Sequence, residues 1–477
     1  MEVSRIFDLL TRYEKCFKVK DNVLAGKENG KWVLHDLEEY QQTALNISCA
    51  LLKLGIKKGD KIATISNNRP EWNFVDMGIM QIGAVHVPIY PTISAEDYEY
   101  ILKHAGIKYV FVSGNEIIRK IGHILKAVEN INDVYSFTHV EGYKHFNEII
   151  EFGKQNQDLN KIEKIKTSIN KDDIATLIYT SGTTGFPKGV MLSHDNILSN
   201  VKASQDLFPV DQFSKGLSYL PLCHIYERMV NYVFQYKGVS VYYAENMATI
   251  VENIQEIKPH VMTTVPRLLE KVYDKIMAKG RKLRGIQKQI FFWAVNLGLR
   301  YQYDRPDRVF YNFQLSLANK LVFNKWREAF GGNMRSIVSG GAALQPRLAQ
   351  IYNAAKIPVV EGYGMTESSP VIAVNTYIKG KRKIGTVGPP LENVEVEISN
   401  IGEILVKGPN VMKGYYKDEE MTRKTIVNGL LHTGDVGIID NDGMLKITGR
   451  VKEIFKTSMG KYVSPVLLEN KIKESPF

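Results

Sequence analysis

Only three cysteines occur in 477 residues, Cys16, Cys49 and Cys223, an odd number set far apart. Neither a disulfide framework nor a structural zinc centre can be built from them, and a reducing, cytoplasmic home is expected. Long apolar runs are lacking as well. The most apolar short stretch, Phe291–Leu299, falls far below the ~20 residues of a spanning helix. Glu2, Arg5 and Asp8 interrupt the first turn of the chain, so a signal peptide is not expected. No C-x₂-C pair, homeodomain-like run or RNA-binding aromatic signature is found, and nucleic acid is not expected as a partner. The expectation is a soluble protein, or one peripheral on a membrane surface.

Hydrophobic residues make up 44% and charged residues 24%, an ordinary globular balance that excludes a disordered or collagen-like chain. The length suits two to four lobes. Lys and Arg exceed Asp and Glu by 62 to 51, a net charge of +11. The densest basic stretches are Lys279–Arg284 and Lys379–Lys383. Such clusters suit polyanions or anionic lipid, and equally a solvated basic face.

The first third alternates helical and strand-like segments. Asp36-Leu37-Glu38-Glu39 has the form of a capping box, followed by apolar residues at Tyr40, Ala44, Ile47, Leu51 and Leu54, with Gly55 as a stop. Lys61–Ser66, Ala84–Tyr90 and Lys108–Val112 are predicted as short buried strands. Strands interleaved with helices imply parallel, helix-covered sheets, an α/β fold. Pro266 opens a predicted helix with Leu268, Val272 and Ile276 on one face. From about Val394 the period shortens: Val394, Val396 and Ile398 alternate, Gly402–Val406 follows, and Ile438–Ile447 has the pattern of a tight hairpin. This part is predicted to be antiparallel and barrel-like.

The chemistry is concentrated in Ile178-Tyr179-Thr180-Ser181-Gly182-Thr183-Thr184-Gly185-Phe186-Pro187-Lys188-Gly189. An apolar strand, Ile174–Tyr179, runs into a loop dense in glycine and hydroxyl residues, with a lysine at its far end. Glycines let backbone N–H groups approach an anion, hydroxyls add donors, and the lysine supplies a point charge. The spacing differs from a Walker A loop, which weakens a P-loop ATPase or kinase reading. A plain glycine turn between strands would explain the glycines but not the hydroxyls and lysine.

Tyr179–Gly189 resembles the phosphate loop of the adenylate-forming superfamily, which includes acyl-CoA synthetases, luciferases and the adenylation domains of peptide synthetases. Three further segments resemble that family in its order: Glu361-Gly362-Tyr363-Gly364-Met365-Thr366-Glu367, Leu431–Asp435, and Thr448–Glu453. The resemblance covers roughly Asp36 to Pro465. It implies a large N-terminal domain, 1–449, of two helix-covered, mainly parallel sheets plus a distorted antiparallel barrel at about 385–449. Residues 450–477 would hold the hinge, at Lys452, and the start of a small C-terminal domain.

The implied reaction is attack of a carboxylate on the α-phosphate of ATP, giving acyl-AMP and pyrophosphate, then transfer of the acyl group to the thiol of CoA with release of AMP. Such displacements depend on charge neutralisation and alignment. By resemblance, Thr180, Ser181, Gly182, Thr183, Thr184, Gly185 and Lys188 cradle the phosphates. Thr180 and Glu367 hold Mg²⁺, a hard cation that suits oxygen ligands, and Thr366 touches the α-phosphate. Gly340, Gly341 and Ala342 wall the adenine with Glu361, Gly362, Tyr363 and Gly364, Tyr363 stacking on the base. Asp435 and Arg450 grip the ribose, and Ile447 joins the nucleotide-binding set. Lys188, Thr366 and Glu367 are the expected catalytic residues. Taken singly, Asp435 could be a turn residue and Arg450 a surface charge.

Amino-acid-activating relatives place an aspartate early in the substrate pocket. Ser218–Arg228 has none there, and an unpaired buried ammonium is costly, so amino acids are disfavoured. Leu220–Arg228 is similar to the same segment of long-chain acyl-CoA synthetases. There His224 lines the entrance where carboxylate and adenylate meet, as a substrate-site residue; alone it would be a satisfied interior histidine. Lys279–Gly332, with Phe291-Phe292-Trp293-Ala294 and Leu317–Phe323, is similar to an extension of the long-chain branch, as is Lys456–Pro465. Peripheral membrane contact and core packing explain its aromatics equally well.

In the family the adenylation lysine lies about a hundred residues past the hinge. The chain ends at Phe477, so a shortened chain impaired in adenylation is expected. Three readings stand: a long-chain fatty acid–CoA ligase using ATP, Mg²⁺ and CoA; an acyl-AMP ligase serving a carrier protein; or a non-catalytic acyl-adenylate-binding protein.

Overall fold

The structure is a computed structural model, and it describes residues 2–180, 185–304, 309–453, 455–456 and 462–463. Two eight-stranded sheets dominate. The first runs, edge to edge, Gly414–Tyr415, Lys188–Ser193, Ile174–Thr180, Val85–Ile89, Lys61–Ile65, Ile107–Val112, Asp133–Ser136 and Lys144–His145. Its pairs are parallel except for the first two. The second runs Val371–Val374, Val359–Gly364, Ser336–Ser339, Val261–Thr264, Lys215–Ser218, Ser240–Tyr243, Leu24–Glu28 and Lys31–His35. It is parallel except at its two ends. The predicted strands at 61–66, 84–90 and 108–112 are all present, within a residue or so.

The largest apolar core lies between these sheets. Helices Leu37–Lys53, Pro70–Met80, His194–Ser204 and Ile225–Tyr236 fill it, contributing Tyr40, Trp72, Ile197 and Met229 against Phe111 of one sheet and Val261 of the other. Removing that much apolar surface from water is the main favourable term in folding. The outer faces are covered by Ala95–Ala105 and Asn115–Ala127 on the first sheet. Helices including Pro266–Lys282, Gly285–Gly298 and Pro346–Ala354 cover the second.

Asp36 caps its helix by accepting the Glu39 N–H at 2.8 Å. The reciprocal half of the predicted capping box is not made, because the Glu39 carboxylate pairs with His35 Nδ1 at 2.8 Å. Pro266 opens its helix as expected. The third sheet is antiparallel, ordered Glu395–Ile398, Glu403–Lys407, Leu430–Ile439 and Ile426–Val427, with Leu445–Arg450 also on Leu430–Ile439. Its tight hairpin turns at Asp440–Gly443, where Asp440 Oδ1 accepts the Asp442 and Met444 N–H groups.

Candidate active site: a purine wall, a phosphate hairpin and a shared junction

The hydroxyl-rich loop joins Ile174–Thr180 to Lys188–Ser193, which pair antiparallel so that Thr180 faces Lys188 across the ladder. Both ends of the hydroxyl-rich loop are therefore pinned by sheet hydrogen bonds. Ser181, Gly182, Thr183 and Thr184 lie outside the described residues. Gly185 takes φ +107°, a conformation glycine alone adopts readily. The Lys188 ammonium sits 5.5 Å from the centre of the Tyr415 ring.

Thr366 and Glu367 are buried in a short helical turn after Val359–Gly364. Glu367 Oε1 accepts the Tyr415 hydroxyl at 2.7 Å, and its carbonyl accepts the Met412 N–H at 2.9 Å. Tyr415 lies on the two-residue strand added beside Lys188–Ser193. The structure thus brings Lys188 and Glu367 against one tyrosine. No sequence motif indicated Tyr415; the glycine–aromatic run Gly414-Tyr415-Tyr416 was its only mark.

Gly340, Gly341, Gly362, Tyr363 and Gly364 line one cavity together, and Ala342 is not among its lining residues. An added Cβ at Gly364 would come within 1.8 Å of the Pro370 carbonyl oxygen, so glycine is obligatory there. Gly340 backs onto the ring of Tyr226, whose hydroxyl donates to the Val338 carbonyl at 2.9 Å. Glu361 is buried, and Oε1 accepts the Leu344 N–H at 3.0 Å. It therefore braces the loop carrying Gly341 and the exposed Ala342. Burial pushes its pKa up to about 8, leaving it protonated near neutrality.

Asp435 and Arg450 face each other across the antiparallel ladder, with Arg450 Nε donating to Asp435 Oδ1 at 3.0 Å. The other carboxylate oxygen accepts the Tyr363 hydroxyl at 2.8 Å. This links Asp435 and Arg450 to the cavity that Tyr363 lines. Ile447 packs, half-buried, against the core of the third sheet and is not among the lining residues of the cavity that holds Tyr363. Lys452 follows Arg450 in the short helical turn Val451–Glu453.

Two cavities meet at Tyr90 and His224. The first is lined by Gly340, Gly341 and Gly362–Gly364 and continues over Leu207, Phe208, Met229, Val230 and Val371. The second is bounded by Thr180, Pro187 and Thr366. His224 stands at the N-terminus of Ile225–Tyr236, solvent-accessible at the mouth, its ring edge-on to Tyr90. Crowding by protein lowers its pKa, which keeps the imidazole neutral. Among the described residues Glu227 is the one carboxyl lining the apolar cavity; burial raises it to about 7, and Thr263 donates its hydroxyl to it.

A buried polar cluster that sequence reasoning missed supports the helix behind His224. Arg228 Nη2 and His86 Nδ1 both bond Asp76 Oδ1, and Arg228 Nη1 donates to Thr176 Oγ1 at 2.7 Å. Thr176 is on the strand that delivers Thr180. No spacing in the sequence links residues 76, 86, 176 and 228.

Among the described residues no group of three or more His, Cys, Asp or Glu is placed to hold a metal ion. Glu367 beside the phosphate hairpin fits instead an ion held largely through nucleotide phosphates and water, as Mg²⁺ is.

The AMP-binding enzyme family model matches residues 25–416. A long-chain-fatty-acid–CoA ligase of Mycobacterium bovis, FadD15, is 32% identical over 455 residues, covering 94% of this chain and 74% of that relative. Long chain acyl-CoA synthetase 3 of Arabidopsis thaliana is 32% identical, covering 92% and 70%. The inhibitor-bound N-terminal domain of FACL13 from Mycobacterium tuberculosis superposes with a TM-score of 0.71 at 21% identity, covering 94% of this chain and all of that one. The chain is an adenylate-forming enzyme by family. It belongs to the AMP-binding enzymes, within reach of the fatty acyl-CoA ligases.

Proposed function

We propose that the protein activates a long-chain fatty acid with ATP, forming acyl-AMP and pyrophosphate, and then passes the acyl group to CoA with release of AMP. The junction at His224 carries this reading. A carboxylate placed there has an apolar cavity on one side and Thr180 and Thr366 on the other. An apolar tail would run over Leu207, Phe208, Met229, Val230 and Val371. The identities to fatty acyl-CoA ligases support the substrate class.

In this reading Lys188 and Thr180 to Gly185 neutralise and align the phosphates, and Thr366 orients the α-phosphate. Gly340, Gly341, Ala342 and Gly362 to Gly364 hold the purine, and Asp435 with Arg450 holds the ribose. Glu367 and Thr180 would hold Mg²⁺, which supplies charge neutralisation on the phosphates. Neutral His224 contacts the acid without moving a proton. Residues 1–449 form the nucleotide-binding unit, and Lys452 is the pivot between the adenylating and thioester-forming arrangements.

Calorimetric titration with non-hydrolysable acyl-adenylate analogues tests the proposal. Tails of two, eight and sixteen carbons should bind progressively tighter, since each buried methylene contributes about 0.8 kcal/mol. Equal affinity across the series would leave the nucleotide site standing and reject the fatty acid.

A further inference from the structure

The turn that carries His224 takes its shape from the other sheet. Residues 220–224 connect the second-sheet strand Lys215–Ser218 to the helix Ile225–Tyr236. Leu220, Pro221 and His224 line the apolar cavity, and Cys223 and His224 line the cavity toward Thr180 and Thr366. Leu222 and Cys223 are buried, although Pro221 and His224 on either side are exposed. An irregular turn has no ladder to pair its main-chain groups, so those that are buried must find partners elsewhere.

Asn68 provides them. It belongs to the first sheet, in the short connection from Lys61–Ile65 to the helix Pro70–Met80. Its Nδ2 donates to the Leu220 carbonyl at 2.6 Å, and its Oδ1 accepts the Leu222 N–H at 2.9 Å. Nδ2 also lies 3.3 Å from the hydroxyl of Ser218, the last residue of the strand before the turn. One amide thus grips the turn on both sides of Pro221. It can do so because an amide donates and accepts at once, whereas a carboxylate of the same size only accepts.

The backbone from which Asn68 reaches is itself fixed. Pro70 opens the helix, and the neighbouring Arg69 pairs with Glu71 and lies over the Phe137 ring. A second link runs alongside. Asn73, on Pro70–Met80, donates to the Tyr243 hydroxyl at 2.9 Å, and that hydroxyl donates to Asn231 Oδ1 at 3.0 Å. Asn231 is on Ile225–Tyr236, so the helix after the turn is tied to the same segment of the first sheet.

We propose that Asn68 is a positioning residue for His224: it holds the turn 220–224, and with it the mouth where the two cavities meet. What the mouth receives rests on the function proposed above; that Asn68 sets its geometry does not. Without the amide, the Leu220 carbonyl and the Leu222 N–H lose their partners, and the turn must shift to reach water. His224 shifts with it. Asp435, Arg450 and Glu361 stand on other elements and stay in place.

Asn68→Ala tests this through two readouts. The first needs no substrate: NMR titration of the His224 ring, assigned by its loss in His224→Gln. Crowding by protein holds that pKa below the ordinary value, so release of the turn should raise it toward the ordinary value. The second is calorimetry. Affinity for a sixteen-carbon acyl-adenylate analogue should fall roughly tenfold, while affinity for AMP holds. Asn68→Ser, uncharged and too short to span both groups, carries the same test should the alanine variant fail to fold. An unshifted His224 ring, or equal losses for AMP and the acyl-adenylate, would overturn the proposal. A shifted ring with undiminished acyl-adenylate affinity would keep Asn68 as the residue that positions His224 and reject the mouth as the site of the acid.

Discussion

Tyr415 donates its hydroxyl to Glu367 at 2.7 Å while its ring faces the Lys188 ammonium. One side chain thus touches both the carboxylate proposed to hold the metal and the lysine proposed to bind phosphate. Tyr415→Phe keeps the ring and removes the hydroxyl. A hydrogen bond to a charged group contributes about 1.5–3 kcal/mol, so affinity for ATP in the presence of Mg²⁺ should fall roughly tenfold or more. Calorimetry with and without the metal checks this. An unchanged Kd would remove Tyr415 from the site.

The Asp76–Arg228 pair is wholly buried. Burial alone would raise Asp76, but the Arg228 guanidinium and the His86 and Tyr232 hydrogen bonds outweigh it and hold its pKa below the ordinary value. Arg228→Met strands the carboxylate and should cost about 3–5 kcal/mol in urea denaturation. Adding Asp76→Leu should restore much of that loss, because no unpaired charge remains. A double variant as unstable as the single one would show that the surrounding hydrogen bonds, not the charge pair, set the stability.

Glu361 gives a pH signature. Its native pKa of about 8 lies above the ordinary 4.5, so the native state keeps a proton that the unfolded chain releases between those values. Stability from this group is complete below the lower value and falls as pH rises toward the upper one. Glu361→Gln retains an acceptor for the Leu344 N–H and never ionises. Its Tm advantage over wild type should therefore grow from about pH 5 to about pH 9. A difference that stays constant with pH would contradict a protonated Glu361.

Much of this site is readable in the chain because its parts are local. The Glu361–Glu367 run and the Asp440–Gly443 turn each take shape within a dozen residues, and Thr180 and Lys188 at the two ends of the hydroxyl-rich loop meet across one hairpin. Asp435 and Arg450 needed only one hairpin to meet. What escaped the sequence is whatever joins distant segments. Tyr415 reaches Glu367 from 48 residues away, and the Asp76–His86–Thr176–Arg228 cluster spans four elements. Glu39 shows the limit at short range: its pattern fitted a capping box, but His35 competed for the same carboxylate. In the extension, hydrophobicity flagged Phe291–Trp293 and Leu317–Phe323 alike. Only packing separated the buried aromatics from the exposed ones.

Gly414–Tyr415 completes the edge of the first sheet by pairing with Val190 and Met191, although it belongs to the stretch between two strands of the third. The chain is thereby stitched across from the small antiparallel sheet to the phosphate hairpin. The small sheet is thus tied to the hairpin of Lys188 by main-chain hydrogen bonds, in addition to the side-chain link from Asp435 to Tyr363.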